Sequence, residues 1–229
     1  MKGAHKEKIY MKNKLFKKLT LLCLISGMAS AGQLYELEFI SNWSSEAHLS
    51  LPGNAHFSPV LALSHASNFD LLPLGNVASS GLELLAETGN TAIVLDEINS
   101  FQELCSENHI GDIQQTESFF PEETGDSLRF TIEITPEAPY LSLVTMIAPS
   151  PDWIVGVSSL KLYSPERGFY DVEDLLIPLN AINAGTENGD RGGNFSTRNS
   201  STSPQENINY LNGSGFKEAF VYLRIRRVN

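Results

Sequence analysis

The chain has 229 residues, of which 41% are hydrophobic and 19% charged, with 16 Lys and Arg against 27 Asp and Glu. That length suits one domain with a sizeable core. The formal net charge of −11 at pH 7 argues against nucleic acid and anionic lipid as partners, because a surface this acidic repels both.

The first segment stands apart from the domain. Lys12, Lys14, Lys17 and Lys18 form a basic region, residues 19–28 are mostly apolar, and Ala29-Ser30-Ala31 supplies small residues. The apolar run is too short to span a bilayer. The pattern predicts a secretory signal peptide over residues 1–31, cleaved after Ala31, with the domain over 32–229. Met11 is an alternative start, since residues 1–10 add nothing to the basic region. A lipoprotein anchor at Cys23 is disfavoured, because Thr20-Leu21-Leu22 lacks the small residues expected before such a cysteine. Residues 1–31 hold seven of the Lys and one of the acids, which leaves nine basic and 26 acidic residues and a net charge of −17 in the mature part. Such a surface suits cation binding or simple solubility, the latter for most of its carboxylates. Cys105 alone remains, so no internal disulfide forms, and it reads as a small buried apolar residue.

Residues 35–40 (Tyr-Glu-Leu-Glu-Phe-Ile) alternate as a half-buried strand, ended by Trp43-Ser44-Ser45. Residues 58–65 are mixed. Ser80 is the predicted N-cap of a helix over 81–88, with Glu83 completing a capping box and Gly89 ending it. Residues 94–101 fit either a short helix or a strand. Residues 128–135, 140–147, 153–163 and 175–179 are predicted strands, from their β-branched and aromatic content. Residues 219–227 close the domain, with Val221, Leu223 and Ile225 on one face and Tyr222, Arg224 and Arg226 on the other. Residues 192–215 form a long polar stretch read as a functional or mobile loop. The whole predicts an all-β, antiparallel sandwich with one or two short helices.

The most informative segment is Met146-Ile147-Ala148-Pro149-Ser150-Pro151-Asp152-Trp153-Ile154. The two prolines disfavour helix just before them, which places Asp152 on a loop between two strands. About thirty residues on comes Asn183-Ala184-Gly185-Thr186-Glu187-Asn188-Gly189-Asp190, rich in oxygen donors and in glycines for tight bends. Two such loops meeting at one end of a sandwich suit a hard cation such as Ca²⁺.

These segments, with Ala55-His56-Phe57-Ser58-Pro59, Ser64-His65 and Gly81-Leu82-Glu83-Leu84-Leu85-Ala86-Glu87-Thr88-Gly89, resemble the spondin domain, the N-terminal module of F-spondin and mindin. The resemblance runs from about Tyr35 to the C-terminus. It implies a sandwich related to membrane-targeting C2 domains, a bound Ca²⁺ and a role in extracellular adhesion. In that family an Asp of the Pro-Asp-Trp motif and two acids of an Asp-Ala-Gly-Thr-Asp loop ligate the metal. The matching positions are Asp152, Asn183 and Glu187, with a formal charge of −2 where the family has −3, so weaker binding is expected. Asp171, Glu173, Asp174 or Asp190 could add a ligand. Animal spondin domains carry disulfides; here Tyr163 stands where a family cysteine is expected. No thrombospondin type 1 repeat lies within these residues, so activity resting on such repeats is not expected here, and integrin binding is not inherited.

Against metal binding, Asp152 reads as a loop carboxylate capping a backbone amide, and Asn183 and Glu187 as a turn residue and a solvated acid. Trp153 reads as a packing residue. His56, His65, His48 and His109 lack zinc spacing and read as satisfied polar or loop histidines. Asn42, Asn194, Asn199 and Asn212 begin glycosylation sequons that matter only in a glycosylating host. No nucleophile elbow, zinc-protease helix, phosphate loop or dinucleotide turn is present, so no enzyme is expected. The sequence reading is a secreted (in a bacterium, periplasmic) Ca²⁺-binding recognition module. Its partner is an unidentified cell-surface protein or glycan, with no nucleic acid and no stable membrane insertion. The alternatives are a metal-dependent hydrolase of exported polymers, an envelope or matrix protein with a stabilising metal, and a C2-like membrane binder.

Overall fold

The alternating segment near the N-terminus forms strand β1 (Gln33–Ser41), whose Tyr35, Leu37 and Phe39 are fully buried. The structure is a computed structural model describing residues 31–48, 50–187, 195 and 206–229. Residues 1–30 of the predicted signal peptide, Cys23 among them, and Asp190, Asn194 and Asn199 therefore lie outside the described residues. Gly32–Asn229 is one compact unit. Strand β1 pairs antiparallel with β13 (Val221–Arg227) and with β5 (Ser127–Ile134), and β13 pairs with β10 (Leu175–Leu179), giving a four-stranded sheet. Pro178 sits on the edge strand β10, the position where a missing N–H costs the ladder nothing.

The second sheet has seven strands. Its path is β12 (Asn209–Tyr210), β11 (Ile182–Asn183), β7 (Trp153–Lys161), β6 (Tyr140–Ala148), β3 (Leu61–His65) and β4 (Ile110–Gln115), with β2 (His56–Phe57) also pairing β6. A small ribbon, β8 (Tyr163–Ser164) with β9 (Gly168–Phe169), completes the all-β architecture. Tyr163 packs on Phe169 there, ring centroids 4.9 Å apart.

Strands β3, β6 and β7 read as near-continuous apolar runs because this sheet is covered on both faces. Leu141, Leu143 and Ile147 of β6 face the four-stranded sheet and meet Leu37, Phe39, Ile132 and Leu223 in the main core. Val144, together with Ile154 and Leu63, belongs to a second cluster under two helices. These are α2 (Ser80–Thr88) and α3 (Ala92–Leu104), which contribute Leu82, Leu85, Ala86, Val94 and Ile98. Each such Leu, Val or Ile side chain, fully buried, contributes roughly 1.5–3 kcal/mol.

Several expectations shift. The N-cap of α2 is Ser79, whose Oγ accepts from Leu82 N, and the capping carboxylate comes from α3. Glu97 Oε1 accepts from Gly81 N at 2.8 Å and Oε2 from Ser79 Oγ at 2.6 Å. A tertiary partner thus replaces Glu83. Gly89 ends α2 as expected, with φ 73°. Residues 94–101 are helical. A third, one-turn helix, α1 (Ser45–His48), follows Ser44, whose Oγ accepts from Ala47 N. Cys105 is exposed, not buried: it follows the last turn of α3, where the chain turns out toward solvent. The polar stretch 192–215 is not all loop, since its described part includes β12 and a 3₁₀ turn over Ser214–Phe216.

Candidate metal centre

The turn after β6 begins with a cis Ala148–Pro149 bond, and Ser150 Oγ accepts from Trp153 N at 3.0 Å. This holds Asp152 just ahead of β7, the predicted place, and leaves it 1% exposed. Trp153 is core: its ring meets Phe216 at 5.0 Å and Phe195 at 5.3 Å. Strand β11 lies antiparallel against the start of β7, with Asn183 opposite Trp153. The two oxygen-rich loops therefore meet. Ala184 N donates to Asp152 O at 3.1 Å, and Asp152 Oδ2 accepts from Thr186 N at 2.8 Å and from Glu187 N at 3.0 Å.

Gly185 makes this turn possible. Its φ of 75° lies in the left-handed region. It donates to Asn183 Oδ1 at 3.0 Å and its carbonyl accepts from Glu206 N at 2.8 Å. A Cβ at this position would collide with the Glu206 carbonyl. Asn183 and Glu187 are 3% and 7% exposed. Thr186, 4% exposed, also belongs to the turn, its hydroxyl 3.5 Å from Asp152 Oδ2. Sequence reasoning passed over Thr186 because its backbone N–H, not its side-chain type, carries the main contact.

Asp152 Oδ1 is buried and has no hydrogen-bond partner among the described residues. Arg224 Nε is the other such atom, but the Asp174 carboxylate lies 3.0 Å from it as an ion pair. Burial pushes the Asp152 carboxyl above its ordinary range; the N–H bonds of Glu187 and Thr186 oppose this, and the charge of Glu187 adds to the rise. A buried carboxylate oxygen without a donor is costly, and a hard cation supplies what it lacks. The donor set fits: one carboxylate oxygen free of donors, one amide oxygen on the adjacent strand and a second carboxylate on the same turn. Among the described residues no three His, Cys, Asp or Glu side chains cluster as a metal site would; the candidate set has two carboxylates, and its third oxygen is the Asn183 amide's.

The other proposed donors go elsewhere. Asp174 pairs with Arg224 and Arg226, Asp171 lies 4.0 Å from Arg227, and Glu173 is exposed. His48, His56 and His65 have hydrogen-bond partners, and His109 is exposed. His65 is fully buried between Ala66 O (2.7 Å) and Ser142 Oγ (2.8 Å); His48 accepts from Ser44 N at 3.2 Å. Asn42 uses its side-chain amide on Ala219 O.

The fold and this loop pair define a two-sheet sandwich with an oxygen-lined centre at one end. The family model described as Spondin_N matches residues 33–225, and the chain belongs to that family. It is 28% identical to Spondin-1 of Homo sapiens over 217 residues, covering 91% of this chain and 25% of that protein. Spondin-1 of Rattus norvegicus is 30% identical over 185 residues, covering 77% of this chain and 21% of that protein. Spondin-2 of the same species is 29% identical over 200 residues, 84% and 57% of the two chains. The chain spans about a quarter of the length of the Spondin-1 relatives.

Proposed function

We propose that this protein is exported through a signal peptide over residues 1–31. Outside the cell it acts as a Ca²⁺-binding adhesion or recognition module, not an enzyme, and meets a cell-surface protein or glycan. Asp152, Asn183 and Glu187 hold the ion, and the cation's charge offsets the two carboxylates and fixes the turn at the end of β11. Membership of the spondin family supports the extracellular role. The observation that carries the metal reading is the buried, donor-less Oδ1 of Asp152. No helix among the described residues is long and apolar enough to cross a membrane.

The burial of all three donors favours a metal that stabilises the loops over one that touches a partner directly. The test is calorimetric titration of Ca²⁺ and Mg²⁺ into metal-stripped protein, beside Asp152→Ala. Saturable Ca²⁺ binding, absent in the variant, is the expected outcome. No heat in the wild type would mean that Asn183 and Glu187 no longer sustain the site.

A further inference from the structure

Phe120 is 60% exposed, yet its loop is held firmly. The preceding residue, Phe119, bridges to Phe57 through two backbone hydrogen bonds of 2.8 and 2.9 Å, and its ring packs on Phe39 and Phe57. With Phe119 turned into the core, its neighbour must face out. At the far end of the loop, Asp126 Oδ2 accepts from Glu122 N and Glu123 N, and Gly125 N donates to Ser41 O. His56 stacks on Phe120 with centroids 4.5 Å apart and planes 16° from parallel. The His56 ring is itself oriented by its Nδ1, which donates to Asn54 O at 2.8 Å. The result is a preorganised aromatic platform open to solvent, the kind of rigid anchor that loses little entropy on binding.

Its charge setting is one-sided. Glu117, Glu122 and Glu123 are exposed on the same loop. Residues 19–128 contain no Lys or Arg, while residues 32–128 hold fifteen acids. An exposed aromatic face on a loop with three exposed carboxylates, in a stretch of chain that holds no Lys or Arg, complements a guanidinium or ammonium group through cation–π attraction and ion pairing.

We propose that the Phe120–His56 platform is a docking surface for a basic segment of a partner protein, with an Arg or Lys side chain seated on the Phe120 ring between the loop carboxylates. This narrows the partner in the reading above and does not rest on the metal. The test uses metal-stripped protein, and again protein with Ca²⁺, titrated with a nona-arginine peptide by calorimetry and by NMR of the Phe120 ring. Binding is expected in both states, weakened about tenfold by Phe120→Ala and clearly by Phe120→Leu, which keeps apolar contact but removes the π face. Glu122→Gln with Glu123→Gln should weaken it further, as should added salt. Melting temperature should be unmoved by the Phe120 changes, since the ring is largely solvated.

Equal binding by wild type and Phe120→Ala would mean that net charge alone attracts the peptide and would overturn the proposal. Equal binding by Phe120→Leu would reduce the platform to an apolar contact, and no binding would remove it; either sinks the idea. So would chitohexaose shifting the Phe120 resonances while nona-arginine leaves them in place, since the platform would then be a glycan site. Loss of Ca²⁺ binding would leave this result untouched, so the two readings fail separately.

Discussion

Glu38 and Asp152 are both carboxylates taken out of water, 5% and 1% exposed, and the chain treats them in opposite ways. Glu38 lies on the outer face of the four-stranded sheet, opposite Arg224 on one side and Arg129 on the other. Arg129 donates to Oε1 at 2.6 and 3.0 Å, Ser127 Oγ to Oε1 at 3.0 Å, and Arg224 to Oε2 at 2.8 Å. Both oxygens are served by side chains of neighbouring strands. Asp152 has donors at Oδ2 only, all from one turn. The first carboxylate is satisfied by the chain itself. The second is left half satisfied, and a half-satisfied buried anion is where an outside cation contributes most.

The largest effect is expected from breaking the turn that shapes the Asp152 region. Gly185→Ala forces a side chain into left-handed backbone and against the Glu206 carbonyl, at a cost of about 3 kcal/mol. Thermal unfolding should fall by roughly 6–12 °C, and Ca²⁺ affinity should fall with it. Unchanged melting would mean the turn yields easily and Gly185 is incidental. Asp152→Asn sharpens the contrast further, because its sign depends on the ion. Without Ca²⁺ the variant, freed of a buried charge, should be as stable as wild type or more so. With Ca²⁺ at a hundredfold over Kd, wild type should gain about 2.7 kcal/mol and the variant nothing. Calorimetric melts with and without Ca²⁺ read both; wild type the more stable in the absence of Ca²⁺ would show that Asp152 is satisfied by the chain after all.

The two regions also differ in how far the sequence exposes them. The Glu38 face follows from alternation alone: Tyr35, Leu37 and Phe39 inward, Glu36 and Glu38 outward, Arg224 and Arg226 likewise on β13. What alternation does not give is register, and register is what sets Glu38 between two arginines. The Asp152 turn is legible because its prolines and glycine constrain the backbone locally, so the meeting of the two loops could be read in advance. The short strands β8, β9, β11 and β12 have two residues each, too few for any periodicity. The capping of α2 by Glu97 was hidden for a related reason: the partner is 18 residues from Ser79 and on another helix. Cys105 was misread as buried because a small apolar residue after an amphipathic helix carries no sign of which way the chain turns.

The smallest effect tests the satisfied side. Burial alone would push the Glu38 carboxyl up, but the Arg129, Arg224 and Ser127 hydrogen bonds override it and hold it at about 2, against an ordinary 4.5. A depressed value means the folded state prefers the carboxylate. Its stabilisation is therefore complete above about pH 4.5 and is lost as pH falls from there through about 2. Arg129 is more than half exposed, so solvent screening reduces the contribution to about 1–2 kcal/mol. Glu38→Gln should cost that much at pH 7, with no dependence on Ca²⁺, and should flatten the decline in stability between pH 4.5 and 2. Urea unfolding across that range, for both proteins, measures the difference. If the two curves stay parallel down to pH 2, the arginines do not hold Glu38 ionised, and its burial on an open sheet face would rest on packing alone.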